Sequence, residues 1–203
     1  MYLSRIHLDV RNVNARKCMT DCQSMHRSIL KMFHCSRQMG DVLYRWDAGR
    51  SVVYIQSQNP PDAQAVPAGV QLDGTRDIAE LEGRIEAGRR YPFDLLAVPA
   101  KKVAMEGTKN SRRRLLRTPG ERMDWLRRKG EQHGFELIHA VEAEQVSSYG
   151  KHAKENGGSM HVASVRFQGL LRVTDKERFR NAWRHGIGPG RAYGNGMLLL
   201  RGL

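Results

Sequence analysis

The chain is short of cysteine, of acidic residues and of long apolar runs, and each shortage removes a class of protein. Three cysteines in 203 residues, Cys18, Cys22 and Cys35, are odd in number and crowded near the start, so they do not read as a disulfide framework. Cys18, Cys22 and His26 stand at i, i+4 and i+8, which would stack them on one face of a helix that began early enough. No paired C-x-x-C follows and a fourth ligand is missing, so neither a metal nor any other cofactor is expected. No stretch approaches the roughly 18 consecutive apolar residues of a membrane span, and MYLSRIHLDV lacks the apolar core of a signal peptide. The expectation is a cytoplasmic protein with no membrane partner. Acids number 21 against 34 Lys and Arg, giving a formal charge of +13 and a pI near 10.2. That excess goes far beyond what solubility requires and points to a polyanion, nucleic acid ahead of a membrane surface.

What is present reads as an α+β chain. YLSRIHL at residues 2 to 8 alternates as a strand, and TDCQSMHRSILKMF repeats Cys22, Met25, Ile29 and Phe33 at helical spacing. Thr20 or Asp21 suits the start of that helix, with Gln23 completing a capping box on Thr20. VLYRW and SVVYIQS around Asp47-Ala48-Gly49-Arg50 form a hairpin over about residues 42 to 57. Asn59 to Gly74 reads as a loop, a short helix follows near Ile78, and YPFDLLAVPAKKV is a fourth strand. A second round then begins. Residues 119 to 134 form a basic helix with Met123, Leu126 and Trp125 on its apolar side. FELIHAVEAEQV and HVASVRFQGLLRV are strands, DKERFRNAWRHG is a helix with Phe179 and Trp183 inward, and MLLL is a last strand. The order implies two tandem ferredoxin-like βαββαβ domains, residues 1–104 and 119–203, joined by a basic linker at 105–118.

Between the last helix and last strand lie five glycines in eleven residues, Gly186, Gly188, Gly190, Gly194 and Gly196. A Walker loop needs Lys-Ser or Lys-Thr after its final glycine, and a dinucleotide fingerprint follows a strand and opens a helix; this run does neither. A frayed tail would leave Met197 to Leu200 in water. A backbone cradle held between helix and buried strand remains, with Arg191 as a cation inside it. The second concentration is of charge: residues 101 to 129 hold eleven Lys or Arg and three acids. A solvated helix face interleaves signs, so this excess reads as a surface that tracks phosphates.

G-I-G-x-G-R-A-Y-G-x-G-M-L-L resembles the C-terminal glycine-rich loop of the CRISPR-associated repeat-RNA endoribonucleases, in particular the type I-E, Cascade-associated (CasE) family. MYLSRIHLD, D-x-x-x-x-H from Asp21 to His26 ahead of Ile29, Leu30 and Phe33, and VRFQGLLRVTD at 165 to 175 resemble that family in the same order. The resemblance implies two ferredoxin-like domains and metal-independent cleavage of precursor CRISPR RNA at the base of a repeat hairpin. The ribose 2′-OH attacks the adjacent phosphate, leaving a 2′,3′-cyclic phosphate and a 5′-OH, and the product is kept within the Cascade complex. The implied partners are the repeat hairpin and other Cascade subunits, with the chain a monomer when free.

That chemistry needs a base for the 2′-OH, an acid for the leaving 5′-oxygen, and donors or cations for the phosphorane. His26 occupies the family's helix-one histidine position and is the first catalytic candidate. Gln23 stands where relatives carry tyrosine; it can hydrogen-bond a phosphate or 2′-OH but cannot exchange a proton. His161 aligns with a lysine position: it is either a second imidazole at the phosphorane or an ordinary exposed strand residue. Lys101, Lys102, Arg112, Arg113, Arg114 and Arg117, with the five glycines and Arg191, are the expected RNA contacts. Two other functions compete: a hairpin-binding subunit with weak or no cleavage, which Gln23 favours, and an unrelated twin RNA-recognition-motif protein. Against the latter, GRAYGNGML offers one Tyr where several stacking rings belong, and aromatics total 7%.

Overall fold

The computed structural model describes residues 1–34, 41–104, 111–151 and 158–202; Cys35, Lys109 and the tip between the two long strands at 152–157 lie outside them. Among the described residues, ten strands and five α-helices build two four-stranded antiparallel sheets and a separate two-stranded ribbon. The first sheet has β1 (Tyr2–Leu8), β2 (Leu43–Asp47), β3 (Val52–Ser57) and β4 (Val70–Asp77) in the order β2-β3-β1-β4. The second has β5 (Arg90–Ala97), β8 (Phe135–Lys151), β9 (Ser159–Val173) and β10 (Leu198–Leu200) in the order β10-β5-β9-β8. Counted within each unit, both orders are 4-1-3-2, the ferredoxin-like pattern twice over.

The strand content departs from the sequence reading at the junction. YPFDLLA, expected to complete the first sheet, pairs instead with β9 from Arg90↔Arg172 to Ala97↔Val165 and is the first strand of the second sheet. The real fourth strand lies at Val70–Asp77, inside and just beyond the stretch read as a loop. It is an edge strand, mostly exposed, interrupted by Gly74 and by a register shift opposite Arg5 and Ile6, so it carries little of the apolar alternation that marks a half-buried strand. The boundary expected at residue 104 therefore falls after the second sheet has begun. The chain crosses between sheets through the short α3 (Ala79–Gly83). Of the expected linker, residues 105–110 lie outside the described residues, and Ser111–Leu115 form β7, which pairs with β6 (Ala100–Ala104) as a ribbon.

Two helices, α1 (Val13–Thr20) and α2 (Cys22–Lys31), cover the first sheet where one was expected. Thr20 belongs to α1, and Asp21 caps α2 by accepting from the Gln23 and Ser24 backbone N–H groups, so no Thr20–Gln23 capping box forms. The break also separates Cys18 from Cys22 and His26, which removes the single-face stack. In the second unit Thr118 and Glu121 make a true capping box at α4 (Pro119–Gln132), and Asp175 caps α5 (Lys176–His185). Each sheet has its own core: Ile6, Leu8, Met25, Ile29, Val53 and Ile55 in the first, and Phe93, Leu95, Leu126, Phe167, Phe179 and Trp183 in the second.

The two units are locked by a buried ionic cluster. Asp94 of β5, 8% exposed, accepts from Arg45 of β2 at 2.8 Å, from Arg166 Nε at 2.9 Å and from Gln168 at 2.7 Å. Burial opposes its charge, but the bonds from Arg166 and Gln168 and the nearby Arg45 outweigh that and hold its carboxyl below the ordinary value of 3.8. Gln56 adds a second tie, its Nε2 donating to Trp183 O at 2.8 Å.

Asp94→Asn leaves Arg45 as an uncompensated buried cation and is expected to cost about 3–5 kcal/mol in urea unfolding at neutral pH. A carboxyl depressed in the folded state stabilises above its unfolded pKa and ceases to do so as pH falls through the folded one. The gap between wild type and variant should therefore close below about pH 4.

Candidate active site and nucleic-acid interface

His26 sits on the second turn of α2, next to Met25 and Ile29, which anchor the helix in the first core. That position on the rim leaves its imidazole half-buried and turned toward the second unit, where α2 packs on the turn Arg191–Tyr193. The ring of Tyr193 meets the imidazole edge-on, with centroids 6.0 Å apart at 66°. Gln23, three residues earlier, shares this side of the helix. Burial, with the Asp21 charge beside it, pushes the Cys22 thiol up, so it stays a protonated packing group.

The glycine segment is a rigid turn. All five glycines have φ between 78° and 86°, in the left-handed half of backbone space. At Gly196 a Cβ would lie 2.9 Å from Ile187 O, and the same backbone is pinned by Ile187 N–H donating to Gly196 O and Gly196 N–H donating to Leu96 O. Gly190 and Gly194 bracket the 3-10 turn Arg191–Tyr193, which lifts Tyr193 toward His26. From the first unit Tyr44 donates its hydroxyl to Ala192 O at 2.9 Å, and burial pushes the pKa of that phenol well above its usual range. Arg191 spends one nitrogen on His185 O at 2.8 Å, closing the end of α5, while His185 Nδ1 lies 3.0 Å from Asp41.

The structure sets α2, with His26 and Gln23, against the glycine turn, and His161 lies on the long β8–β9 hairpin, whose β8 strand also packs on α2. Gly150 and its cross-strand partner Met160 face α2, since a Cβ on Gly150 would meet Asp21 and Cys22. Tyr149, the cross-strand partner of His161, and Ser147 line a groove together with Cys22, Met25, Tyr44 and Tyr193. There His161 stacks on Tyr149 at 5.0 Å and lies 3.0 Å from Ser147 Oγ. Sequence reasoning missed Tyr193, Tyr44 and the His185–Asp41 pair. The Tyr inside GRAYGNGM was the one visible signal; the other partners are distant in the chain.

The expected RNA contacts gather on the ribbon. Lys101 stands opposite Arg114, Lys102 opposite Arg113 and Val103 opposite Arg112, so like charges face each other across the pair. Such pairs destabilise a ribbon in isolation, and an anion laid on it relieves them. Arg117 is exposed at the entrance to α4. Arg122, part of the same basic stretch, is buried and held by Glu142 at 2.8 and 2.6 Å, which withdraws it from any ligand. Among the described residues no helix is long and apolar enough to cross a membrane.

A family model described as CRISPR associated protein matches residues 1–202. The chain is 30% identical to the CRISPR-associated endoribonuclease Cse3 of Thermus thermophilus, over 98% of each sequence. It is 24% identical to the CRISPR system Cascade subunit CasE of Escherichia coli, again over 98% of each. Among solved structures it superposes on Thermus thermophilus Cse3 bound to an RNA representing a pre-cleavage complex, with a TM-score of 0.81, 27% identity and 98% of both chains covered.

Gly196→Ala forces a left-handed backbone onto a side chain and drives it against Ile187 O, so it should lower stability by about 1–3 kcal/mol in urea unfolding. Gly83→Ala, in open space at the end of α3, should be neutral or stabilising by up to about 1 kcal/mol.

Proposed function

The chain belongs to the family of CRISPR-associated proteins, in its type I-E, Cascade-associated endoribonuclease branch, and from that premise we propose how its own residues cut repeat RNA. It is an endoribonuclease that cleaves repeat hairpins in precursor CRISPR RNA and keeps the product as a Cascade subunit. The observation that carries the reading is the meeting of His26, from the first unit, with Tyr193 of the glycine turn, from the second. A half-buried imidazole held against a rigid glycine turn supplies proton transfer, and the basic ribbon that lines the far side of that turn supplies phosphate binding.

The reaction needs no metal. The 2′-oxygen attacks the neighbouring phosphorus, the P–O5′ bond breaks, one proton leaves the 2′-oxygen and one is taken up by the 5′-oxygen. His26 performs one of these transfers, since imidazole exchanges protons near neutrality. Tyr193 is a positioning residue that fixes the plane of the imidazole. Gln23 contributes hydrogen bonds to a phosphate oxygen or the 2′-OH and no proton. Its amide is also the feature that favours the second reading, a hairpin-binding subunit with little cleavage. His161, stacked on Tyr149 beside the groove that Tyr193 also lines, either steadies the phosphorane as a second imidazole or contacts the RNA.

The test is cleavage of a hairpin from the protein's own CRISPR repeat in chelator. Wild type should cut and release a 5′-OH fragment, and a single 2′-deoxy substitution at the scissile nucleotide should abolish the cut. His26→Ala should lower the single-turnover rate about 10²–10⁴-fold while leaving hairpin affinity unchanged. Cutting by His26→Ala at the wild-type rate sinks the assignment, and tight binding without cutting by wild type establishes the second reading.

A further inference from the structure

Arg45 uses only part of what its guanidinium offers. Its Nη2 donates to Asp94 across the two units at 2.8 Å, while Nη1 is buried and has no hydrogen-bond partner among the described residues. The side chain is 8% exposed, and a donor buried without an acceptor costs free energy until something supplies one. Arg45 lines a cavity of about 340 Å³ between the tip of the β2–β3 hairpin and the strands β8 and β9 of the second unit. That is room for one small planar ligand.

The lining selects the kind of ligand. Two cations, Arg45 and Arg166, stand with two carboxylates, Asp47 and Glu144, and both cations are already bound to Asp94. No excess of positive charge remains there to hold a phosphate. Donors and acceptors set side by side suit a neutral group that carries both, and Trp46, Tyr54 and Tyr193 add rings for it to stack on. A nucleobase has that combination. The cavity is also continuous with the groove along α2, because Trp46, Ala48, Val146, Ser148 and Tyr193 line both. Tyr193 is the ring that meets His26, so an RNA strand at the imidazole reaches the cavity without leaving the protein surface. A side chain from a separate protein would have no use for that continuity.

We propose that this cavity takes the unpaired nucleobase that lies across the scissile bond from the hairpin stem. The proposal rests on the endoribonuclease reading above for what is cut. Where the strand leaves the stem, that base turns out of the stack, lies against Trp46 and Tyr193, gives an acceptor atom to Arg45 Nη1 and donates an N–H to Glu144 or Asp47. Holding this nucleotide fixes the sugar–phosphate link on one side of the cut, and so helps align the 2′-oxygen with the P–O5′ bond that has to break. The cavity acts on uncut RNA alone. A product hairpin that ends at the severed bond no longer carries the base, so recognition here selects where the cut falls and does not hold what has been cut.

The experiment uses the full chain in chelator with repeat hairpins that carry the scissile phosphate and one unpaired nucleotide beyond it, bearing each of the four bases or none. At subsaturating enzyme the single-turnover rate of wild type should fall at least about tenfold when the base is removed, and should differ among the four bases. Trp46→Leu should shrink the abasic penalty to about twofold. Glu144→Gln, at an exposed position, leaves the core untouched and should change the order of preference among the bases, since an amide both donates and accepts where a carboxylate only accepts. Affinity for the cut hairpin should stay within about twofold of wild type in both variants. Equal wild-type rates for the four bases and the abasic hairpin overturn the proposal, and so do an abasic penalty and a base order that neither variant changes. Wild type that binds these hairpins and cuts none overturns the endoribonuclease reading instead. Affinity for 2′-deoxy hairpins with and without the base, expected to differ about tenfold, then still decides the cavity.

Discussion

The buried carboxylate of Asp94 is the constraint on which the rest of the architecture turns. Two ferredoxin-like units with separate cores have no intrinsic reason to keep a fixed orientation, and inter-unit motion is the default for small domains joined by a short connector. Here Arg45 reaches from the first sheet to a carboxylate of the second, which Arg166 and Gln168 of its own sheet also bind. Desolvating such a cluster costs much of what its Coulomb attraction returns, so its value lies in geometry. Gln56 and Tyr44 repeat the principle with neutral bonds to the end of α5 and to the glycine turn. An imidazole from one unit and a tyrosine from the other then share one site, because neither sheet can rotate without leaving a charge unpaired.

The basic surface obeys the opposite logic. Lysines and arginines paired across the β6–β7 ribbon and crowded at the end of α4 are unfavourable in the free protein. The buried Arg122–Glu142 pair shows what a structural arginine looks like in this fold: bidentate, satisfied and out of reach. The cations of the ribbon beside it are exposed and face one another across the pair. Buried and exposed arginines of one short stretch thus differ in their surroundings, a division that charge counting alone does not reveal.

Where the amino-acid pattern was strongly periodic, it predicted the structure well. The strand at 2–8, the hairpin around Asp47 to Arg50, the basic helix with its inward Trp125 and Leu126, and the helix bearing Phe179 and Trp183 all carry burial on one face, and periodicity reads burial. It failed where burial was low or where a partner was remote. β4 is an exposed edge broken by Gly74, and YPFDLLA is equally apolar in either sheet, so only its pairing with β9 assigns it. The same division holds for the site. His26 and the glycines were recognisable from local motifs, whereas Tyr44 approaches Ala192 across 148 residues.

The glycine turn separates two jobs by a fixed length. Tyr193 on one side and Gly188 on the other belong to one short segment whose backbone is pinned at both ends, by Gly196 N–H to Leu96 of β5 and by Arg191 to the last helix. A segment that cannot stretch is a ruler. The spacing between the imidazole of His26 and the cations on the far side of the turn is built into the protein, so an RNA that touches both meets them at a distance set by the polypeptide.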